Sequence, residues 1–198
     1  MKDKVCIFWF RRDLRLDDNV GLYQALQSGF PVLPIFIFDT EILEKLPKDD
    51  ARVSFIHGQL QKINSELKDR FNGSIASYKG NPISIFEKLV EEFSIHTVYT
   101  NQDYEPYAIQ RDASVKSLLK EKGIGFKTFK DQVIFETDEV VKDDGQPYVV
   151  YTPYMKRWKE KFNASVHVLD YDTFSNFNNV FASRLYIRLS GQRLDSEY

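Results

Sequence analysis

Cysteine is almost missing from this sequence of 198 residues, which contains Cys6 and no other. A single cysteine excludes an internal disulfide framework and any metal site built from several thiolates. A charge excess of one sign is also lacking, because 29 acidic residues balance 27 lysines and arginines for a net charge of -2. This near-balance argues against a domain held to nucleic acid mainly by a general positive field, although a local basic patch is still allowed.

Long hydrophobic runs are absent as well. The apolar run at residues 5–10 stops at Arg11 and Arg12, and it is shorter than the core of a secretory signal or a membrane span. With 42% apolar and 15% aromatic residues, the chain can still build a packed core. These features predict a reduced, cytoplasmic globular protein that does not enter a membrane.

Several motifs of common catalytic and nucleotide sites are absent too. The sequence has no GxxxxGK[ST], GxGxxG, GxSxG or HExxH, which excludes a P-loop, the usual dinucleotide fingerprint, a nucleophile elbow and a zinc helix. The three histidines, His57, His96 and His167, lack a metal-ligand spacing.

Short apolar segments alternate with segments of helical spacing along the first two-thirds of the chain. The predicted strands are residues 5–10, 32–38, 75–78, 97–100 and 126–129, and the predicted helices are residues 19–28, 53–67, 82–93 and 109–122. Several strands lack polar alternation, which is typical of strands covered on both faces. The alternation predicts an α/β domain over residues 1–130, with a doubly wound, Rossmann-like, five-stranded parallel sheet and helices on both faces.

The pattern changes after Asp131. The turn signal Asp143-Asp144-Gly145 predicts a hairpin or a paired excursion of the chain, and Thr152-Pro153 predicts the start of a helix running to Phe162. Residues 131–162 are therefore expected to pack on the α/β domain as a hairpin and a helix. Residues 163–198 have weak periodicity and are interpreted as a linker or tail.

Three polar loops follow predicted strands, at residues 11–19, 39–41 and 101–107. Ligands of an open parallel sheet bind outside the carboxyl ends of its strands, near the switch in strand order. A pocket among these loops would offer guanidinium donors, carboxylates and aromatic faces to a polar, planar ligand. The alternative is that the arginines and acids pair with one another and fix the loops.

Four collinear blocks resemble the DNA photolyase and cryptochrome family. The first is Trp9-Phe10-Arg11-Arg12-Asp13-Leu14-Arg15-Leu16 followed by Asp18 and Asn19, and the others are residues 34–39, residues 101–107 with Arg111-Asp112, and residues 147–154 with Lys156 and Trp158. The resemblance covers residues 1–160. It implies that this chain is the family's N-terminal α/β domain, which holds an auxiliary light-harvesting chromophore.

The same resemblance implies a second, helical domain that binds FAD and a pyrimidine dimer in damaged DNA, repaired by light-driven electron transfer. That domain has no counterpart in the 198 residues. We therefore expect no repair activity from the chain alone, and we interpret it as a truncation or as the result of a reading-frame change near Ala182. The alternatives are a fragment of a cryptochrome photoreceptor that signals without repair, or an unrelated nucleotide-binding α/β domain.

The resemblance also suggests which chromophore is bound. Pterin-binding relatives hold folate with an Asn-Glu pair where this chain has Tyr107 and Ala108, which favours a deazaflavin or a flavin over folate. By likeness, the chromophore residues are Arg11, Phe36, Ile37, Phe38, Asp39, Arg52, Asn101, Asp103 and Glu105. Alternatively, Phe36 and Phe38 belong to the core, and Arg52 pairs with Asp49 or Asp50.

A missing helical partner would leave a surface uncovered. The candidates for part of that surface are Tyr148, Tyr151, Tyr154 and Trp158. Exposed apolar patches promote association, so we expect the chain to self-associate through this face.

Overall fold

The computed structural model describes residues 3–165 of the chain. In chain order, the elements are β1 (Lys4–Phe10), α1 (Val20–Leu26), β2 (Val32–Asp39), α2 (Thr40–Leu43), α3 (Ala51–Phe71), β3 (Ala76–Gly80), α4 (Pro82–Glu92), β4 (Ser94–Asn101), α5 (Pro106–Glu121), β5 (Gly125–Phe129) and α6 (Tyr151–Ser165). Most of the predicted linker, including Ala182, lies outside the described residues.

The five strands form one parallel sheet in the order β3-β2-β1-β4-β5. The first strand is therefore the central one, with β2 on one side and β4 on the other. This confirms the predicted doubly wound α/β fold. The strand order reverses between β1 and β4, so the loops that follow these two strands meet at the same edge of the sheet.

Each face of the sheet carries its own apolar core. Alternate side chains of a strand point to opposite faces, so Phe8 and Phe10 pack on one face and Ile7 and Trp9 on the other. The first face is covered by α1 and α3, and the second by α4 and α5. All four of these β1 side chains are at most 2% exposed, which explains why the run at residues 5–10 has no polar alternation.

Helix ends follow the local signals in the sequence. The Asn81 side chain accepts a hydrogen bond from the Ile83 N–H, with Pro82 at the first helical position of α4. At the end of α5, Gly123 has a φ of +70°, and the next N–H, that of Ile124, donates to the Leu119 carbonyl at 2.9 Å. Glycine adopts this left-handed conformation without a steric cost, so the helix stops there.

The hairpin predicted within residues 131–162 is wrong for the part of the chain that the structure describes. A turn is present, with the Lys142 N–H donating to the Gln146 carbonyl at 2.9 Å, but no strand lies on either side of it. Pro147 follows the turn and has no N–H to donate to a ladder. The predicted helix is present as α6 and begins at Tyr151.

Gly58 and Gly21 provide a matched pair of helix substitutions. A Cβ at Gly58, inside α3, would meet no atom within 4 Å, whereas at Gly21 it would lie 2.6 Å from Asn101 Oδ1 and 2.9 Å from the Phe8 ring. We expect Gly58→Ala to raise the free energy of unfolding by about 0.5–1 kcal/mol. Gly21→Ala should lower it by about 1–3 kcal/mol through overpacking. Urea denaturation followed by circular dichroism checks both, and a destabilised Gly58→Ala variant would contradict this account of α3.

Candidate functional site

A cleft of about 70 Å³ lies at the carboxyl edge of the sheet, where the loops after β1 and β4 meet. Its lining residues are Arg11, Arg12, Asp13, Arg15, Asn101, Gln102, Asp103, Asp131 and Gln132. The cleft is thus at the switch in strand order, where open α/β sheets bind ligands. Three of the nine predicted chromophore residues line it: Arg11, Asn101 and Asp103.

A buried network of hydrogen bonds connects the loops at this edge of the sheet. Asn101 Nδ2 donates to Asp13 Oδ2 at 2.6 Å and to Asn19 Oδ1 at 2.8 Å, while Asn101 Oδ1 accepts from the Gly21 N–H at 2.8 Å. Asn19 Nδ2 also donates to Asp13 Oδ2, at 3.2 Å. Because Asn101 is 5% exposed and these bonds occupy its amide, its side chain fixes the loops.

The guanidinium of Arg11 is also paired with other groups of the protein. Its Nη1 lies 2.5 Å from Asp112 Oδ2, and its Nη2 donates to the Asn101 carbonyl oxygen. Its side chain is 8% exposed. Burial lowers the pKa of the Arg11 guanidinium from its ordinary value, and the Asp112 carboxylate opposes this shift.

The sequence-based site missed Arg111, Asp112 and Trp9. Arg111 Nη2 lies 3.0 Å from Asp112 Oδ1, so Asp112 bridges two guanidiniums. Both guanidiniums lie over the Trp9 ring, with Cζ-to-centroid distances of 5.2 Å for Arg11 and 4.9 Å for Arg111. The available signal was the Arg111-Asp112 pair in the third block of the resemblance.

Asp39 and Tyr107 join β2 to α5. The Tyr107 hydroxyl donates to Asp39 Oδ2 at 2.7 Å, and Asp39 Oδ1 accepts from the Glu41 N–H at 3.0 Å as the cap of α2. Burial raises the pKa of the Tyr107 hydroxyl, and the hydrogen bond to Asp39 adds to this shift. Asp39 is therefore occupied by neighbours on two elements.

The acids after β4 pair with Arg12. Arg12 Nη2 lies 2.6 Å from Glu105 Oε1, and its Nε lies 3.4 Å from Asp103 Oδ2. The Glu105 carboxylate raises the pKa of Arg12. With the Arg12 side chain 56% exposed, these pairs are accessible to solvent, and such pairs contribute little to stability.

Arg15 and Asp131 close the far side of the cleft. Arg15 Nη2 donates to both carboxylate oxygens of Asp131, at 2.9 and 2.8 Å. Asp131 Oδ1 also accepts from the Val20 N–H at 3.2 Å, at the start of α1. The segment after β5 is thereby attached to the loop after β1.

The aromatic candidates lie along β2, away from the cleft. Phe36 belongs to the first apolar core and Ile37 to the second, whereas Phe38 is half-buried against the first. The Phe36 and Phe38 rings meet edge to face, with centroids 4.9 Å apart. Phe36 therefore follows the alternative stated above and belongs to the core.

Arg52 pairs with Asp50, as the alternative interpretation of this residue expected. Its Nη2 lies 2.6 Å from Asp50 Oδ2, and its Nε donates to Asp50 Oδ1 at 2.9 Å. This pairing lowers the pKa of the Asp50 carboxyl from 3.8 to about 2. The Arg52 side chain is 70% exposed, so a ligand could compete for it at little cost.

The donor set fits a polar ring system, but the cleft alone does not enclose one. Pockets for drug-sized ligands measure roughly 300–1,000 Å³, well above the cleft's volume of about 70 Å³. A tricyclic ligand would therefore have to extend from the cleft across the end of β2, where Phe38 is half-exposed. Within residues 3–165 no cluster of three or more potential metal ligands occurs.

A patch at residues 149–154 is the most exposed apolar part of the described surface. Val149 is 90% exposed, Val150 62%, Tyr151 72% and Tyr154 38%. Tyr148 is in ring contact with Tyr154, at 6.2 Å between centroids. We call residues 149–154 the tyrosine patch.

Trp158, the fourth residue predicted for that surface, belongs to a different group. Its ring packs against Phe135 at 5.5 Å and against Phe162 at 5.0 Å between centroids, so it attaches α6 to the segment after β5. Among the described helices, none has the length and apolarity that crossing a membrane requires.

Comparison with known proteins gives a family match. The family model described as DNA photolyase matches residues 6–176. The deoxyribodipyrimidine photo-lyase of a Synechococcus species is 34% identical over 153 residues, which are 77% of this chain and 31% of that protein. Proteins named cryptochromes, from Drosophila melanogaster and Arabidopsis thaliana, are also among the relatives.

Solved structures agree with this match. A class III photolyase from Agrobacterium tumefaciens has a TM-score of 0.71 and 30% identity, and the match covers 80% of this chain and 32% of that one. An archaeal photolyase from Sulfolobus tokodaii, described with two FAD molecules, has a TM-score of 0.67 and 25% identity, over 87% of this chain and 41% of that one. The chain thus spans about a third of the length of the photolyases that it matches.

Asn101 is the residue whose loss should damage this edge most. We expect Asn101→Ala to lower the free energy of unfolding by about 2–3 kcal/mol, because it removes the 2.6 Å hydrogen bond to the buried Asp13 carboxylate and leaves the Gly21 N–H without its acceptor. The exposed neighbour Gln102, which lines the same cleft, provides the control, and Gln102→Ala should change stability by less than about 0.5 kcal/mol. Guanidinium denaturation of both variants measures the difference, and equal stabilities would contradict the network's role.

Proposed function

The chain belongs to the DNA photolyase and cryptochrome family, and from this we propose that it is the N-terminal α/β domain of a deoxyribodipyrimidine photo-lyase and holds a light-harvesting chromophore. The observation that carries the proposal is the cleft at the switch between β1 and β4, together with the half-buried Phe38 at the end of the neighbouring strand. The cleft offers arginines, carboxylates and amides, and Phe38 offers an aromatic face beside it, so a polar, planar ligand would find hydrogen-bonding groups and a stacking surface at this edge.

A deazaflavin or a flavin fits this edge better than folate. The Tyr107 hydroxyl is occupied by Asp39, and Ala108 is 3% exposed and offers no polar side chain. The two positions that hold folate in pterin-binding relatives therefore have no free donor for it here. The Sulfolobus tokodaii photolyase, whose description names two FAD molecules and a novel light-harvesting cofactor, supports a flavin in this role.

The nine predicted residues would have different roles in binding the chromophore. Phe38 would provide a ring face, while Phe36, Ile37 and Asp39 would hold the backbone of β2 in place. Asp103 and Glu105 would accept hydrogen bonds from ring or hydroxyl groups, and Arg52 would donate to the ligand after leaving Asp50. Arg11 and Asn101 would shape the cleft, because protein groups occupy their side chains. A bound chromophore supplies light absorption.

The remaining activity is proposed for the longer protein. Its helical domain would bind FAD and damaged DNA and would repair pyrimidine dimers, while the 198-residue chain alone would have no repair activity. We propose a cytoplasmic location, in keeping with the single, buried Cys6. The cryptochrome relatives favour one other function, in which the longer protein signals without repair and this domain keeps the same role.

Chromophore binding can be measured on the chain itself. We expect one of FMN, FAD or a deazaflavin to give a red-shifted, protein-bound absorption band, and folate to give none. Phe38→Leu should weaken that binding by about two- to tenfold, because an aromatic contact contributes roughly 0.5–1.5 kcal/mol. Phe71, which is half-buried against the same core but ends α3, provides the control, and Phe71→Leu should bind normally. Saturable binding of folate alone would contradict the assignment.

Self-association through the tyrosine patch is the second expectation. Light scattering should give an average mass that rises with concentration for the chain and stays monomeric for Tyr151→Ser/Tyr154→Ser, because the substitutions remove exposed apolar area. Ile109, 57% exposed on α5, is the control, and Ile109→Ser should associate as the unmodified chain does. A strict monomer at high concentration would refute this expectation.

A further inference from the structure

Trp9 lies beneath two buried cations. Its indole is 2% exposed, and the guanidiniums of Arg11 and Arg111 lie 5.2 and 4.9 Å from the ring centroid. Their side chains are only 8% and 9% exposed, so solvent screens them weakly. Asp112 pairs with both guanidiniums, and Asp39 Oδ2 lies 4.0 Å from Arg111 Nη1, but the charges placed over the indole ring are the two cations.

A cation beside an indole acts in opposite directions on its two redox states. The neutral ring is attracted to the cation through its quadrupole. An indole that has lost an electron carries a positive charge and is repelled, and at about 5 Å this repulsion is far stronger in a partly buried site than in water. Arg11 and Arg111 therefore make Trp9 harder to oxidise.

Trp9 is also close to the cleft. Arg11 both lines the cleft and lies over the indole, and Trp9 is two residues before Arg11 on the central strand. An indole at this place is a potential electron donor to any excited ring system bound there. Electron transfer from a neighbouring donor competes with energy transfer and would waste the absorbed light.

We propose that Arg11 and Arg111 keep Trp9 reduced, and so prevent it from quenching an excited deazaflavin or flavin held at the cleft. The inference rests on the proposed chromophore-binding function. In the suppressed step, one electron would leave the indole and enter the excited chromophore, which is the oxidant; no bond forms or breaks. Arg11 and Arg111 act through Trp9 and are positioning residues for this purpose.

The first test needs no chromophore. The sequence has two tryptophans, so Trp158→Phe leaves Trp9 as the only indole. Pulse radiolysis with a diffusible one-electron oxidant then measures the oxidation equilibrium of Trp9. We expect Arg111→Met to favour the oxidised indole by a factor on the order of ten, and Asp112→Asn to shift the equilibrium the other way, because it removes a compensating negative charge.

The opposite signs separate this effect from general loosening of the fold, which would shift both variants in the same direction. Arg70, which lies 4.8 Å over the Phe71 ring at the end of α3, provides the control, and Arg70→Met should leave the equilibrium unchanged. The proposal is overturned if Arg111→Met and Asp112→Asn shift the equilibrium in the same direction, or if neither shifts it while circular dichroism shows both variants folded.

The second test uses the bound chromophore. With the flavin or deazaflavin that gives the strongest binding, Arg111→Met should shorten the fluorescence lifetime, and the double variant Trp9→Phe/Arg111→Met should restore it. A lifetime that stays short without the indole would overturn the role of Trp9 as quencher. If no chromophore binds the unmodified chain, the proposed function fails, and the oxidation equilibrium still decides whether the two arginines protect Trp9.

Discussion

The buried amide of Asn101 is the interaction on which the rest of this edge depends. It joins the last residue of β4 to Asp13 in the loop after β1 and to the first turn of α1. These elements lie on either side of the switch in strand order, where no strand ladder can align the loops. A side-chain amide with two donors and one acceptor satisfies all three neighbours. Gly21 lies so close to this amide that a Cβ would collide with it, so the second position of α1 requires a residue that has no side chain.

The fold could be predicted because its signals are local. The apolar runs mark the strands, the stripe at Val53, Ile56, Leu60, Ile63 and Leu67 marks α3, and Asn81-Pro82 and Gly123 mark helix ends, all of which the structure confirms. The hairpin failed for a reason that is equally local. Pro147 has no backbone N–H to donate to a hairpin's strand ladder, although the turn before it forms.

The site was harder to predict, because its geometry depends on which acid meets which arginine. Arg11 pairs with Asp112 and Arg15 with Asp131, at separations of 101 and 116 residues, and no spacing in the sequence specifies such pairs. The resemblance to the family identified Arg11, Asn101 and Asp103, and in the structure these three residues line one cleft. It could not reveal that protein groups occupy the side chains of Arg11 and Asn101, because that depends on the three-dimensional positions of the donors and acceptors. The interpretation of the polar loops as self-paired is thus correct for part of the edge, and the contacts of Phe38 and the exposed Arg52 with a ligand stay a prediction.

The central position of β1 has a consequence for how the chain acquires its structure during synthesis. Strands β1, β2 and β3 are synthesised within the first 80 residues, but β4, the other neighbour of β1, ends only at Asn101. Until then the nascent half-sheet has β1 at its border, with the backbone of the most apolar strand unpaired on one side. Open borders of this kind invite pairing with other chains. Completion of β4 converts that border into the interior of the sheet, so the interval between β3 and β4 is the period in which a chaperone would be most useful.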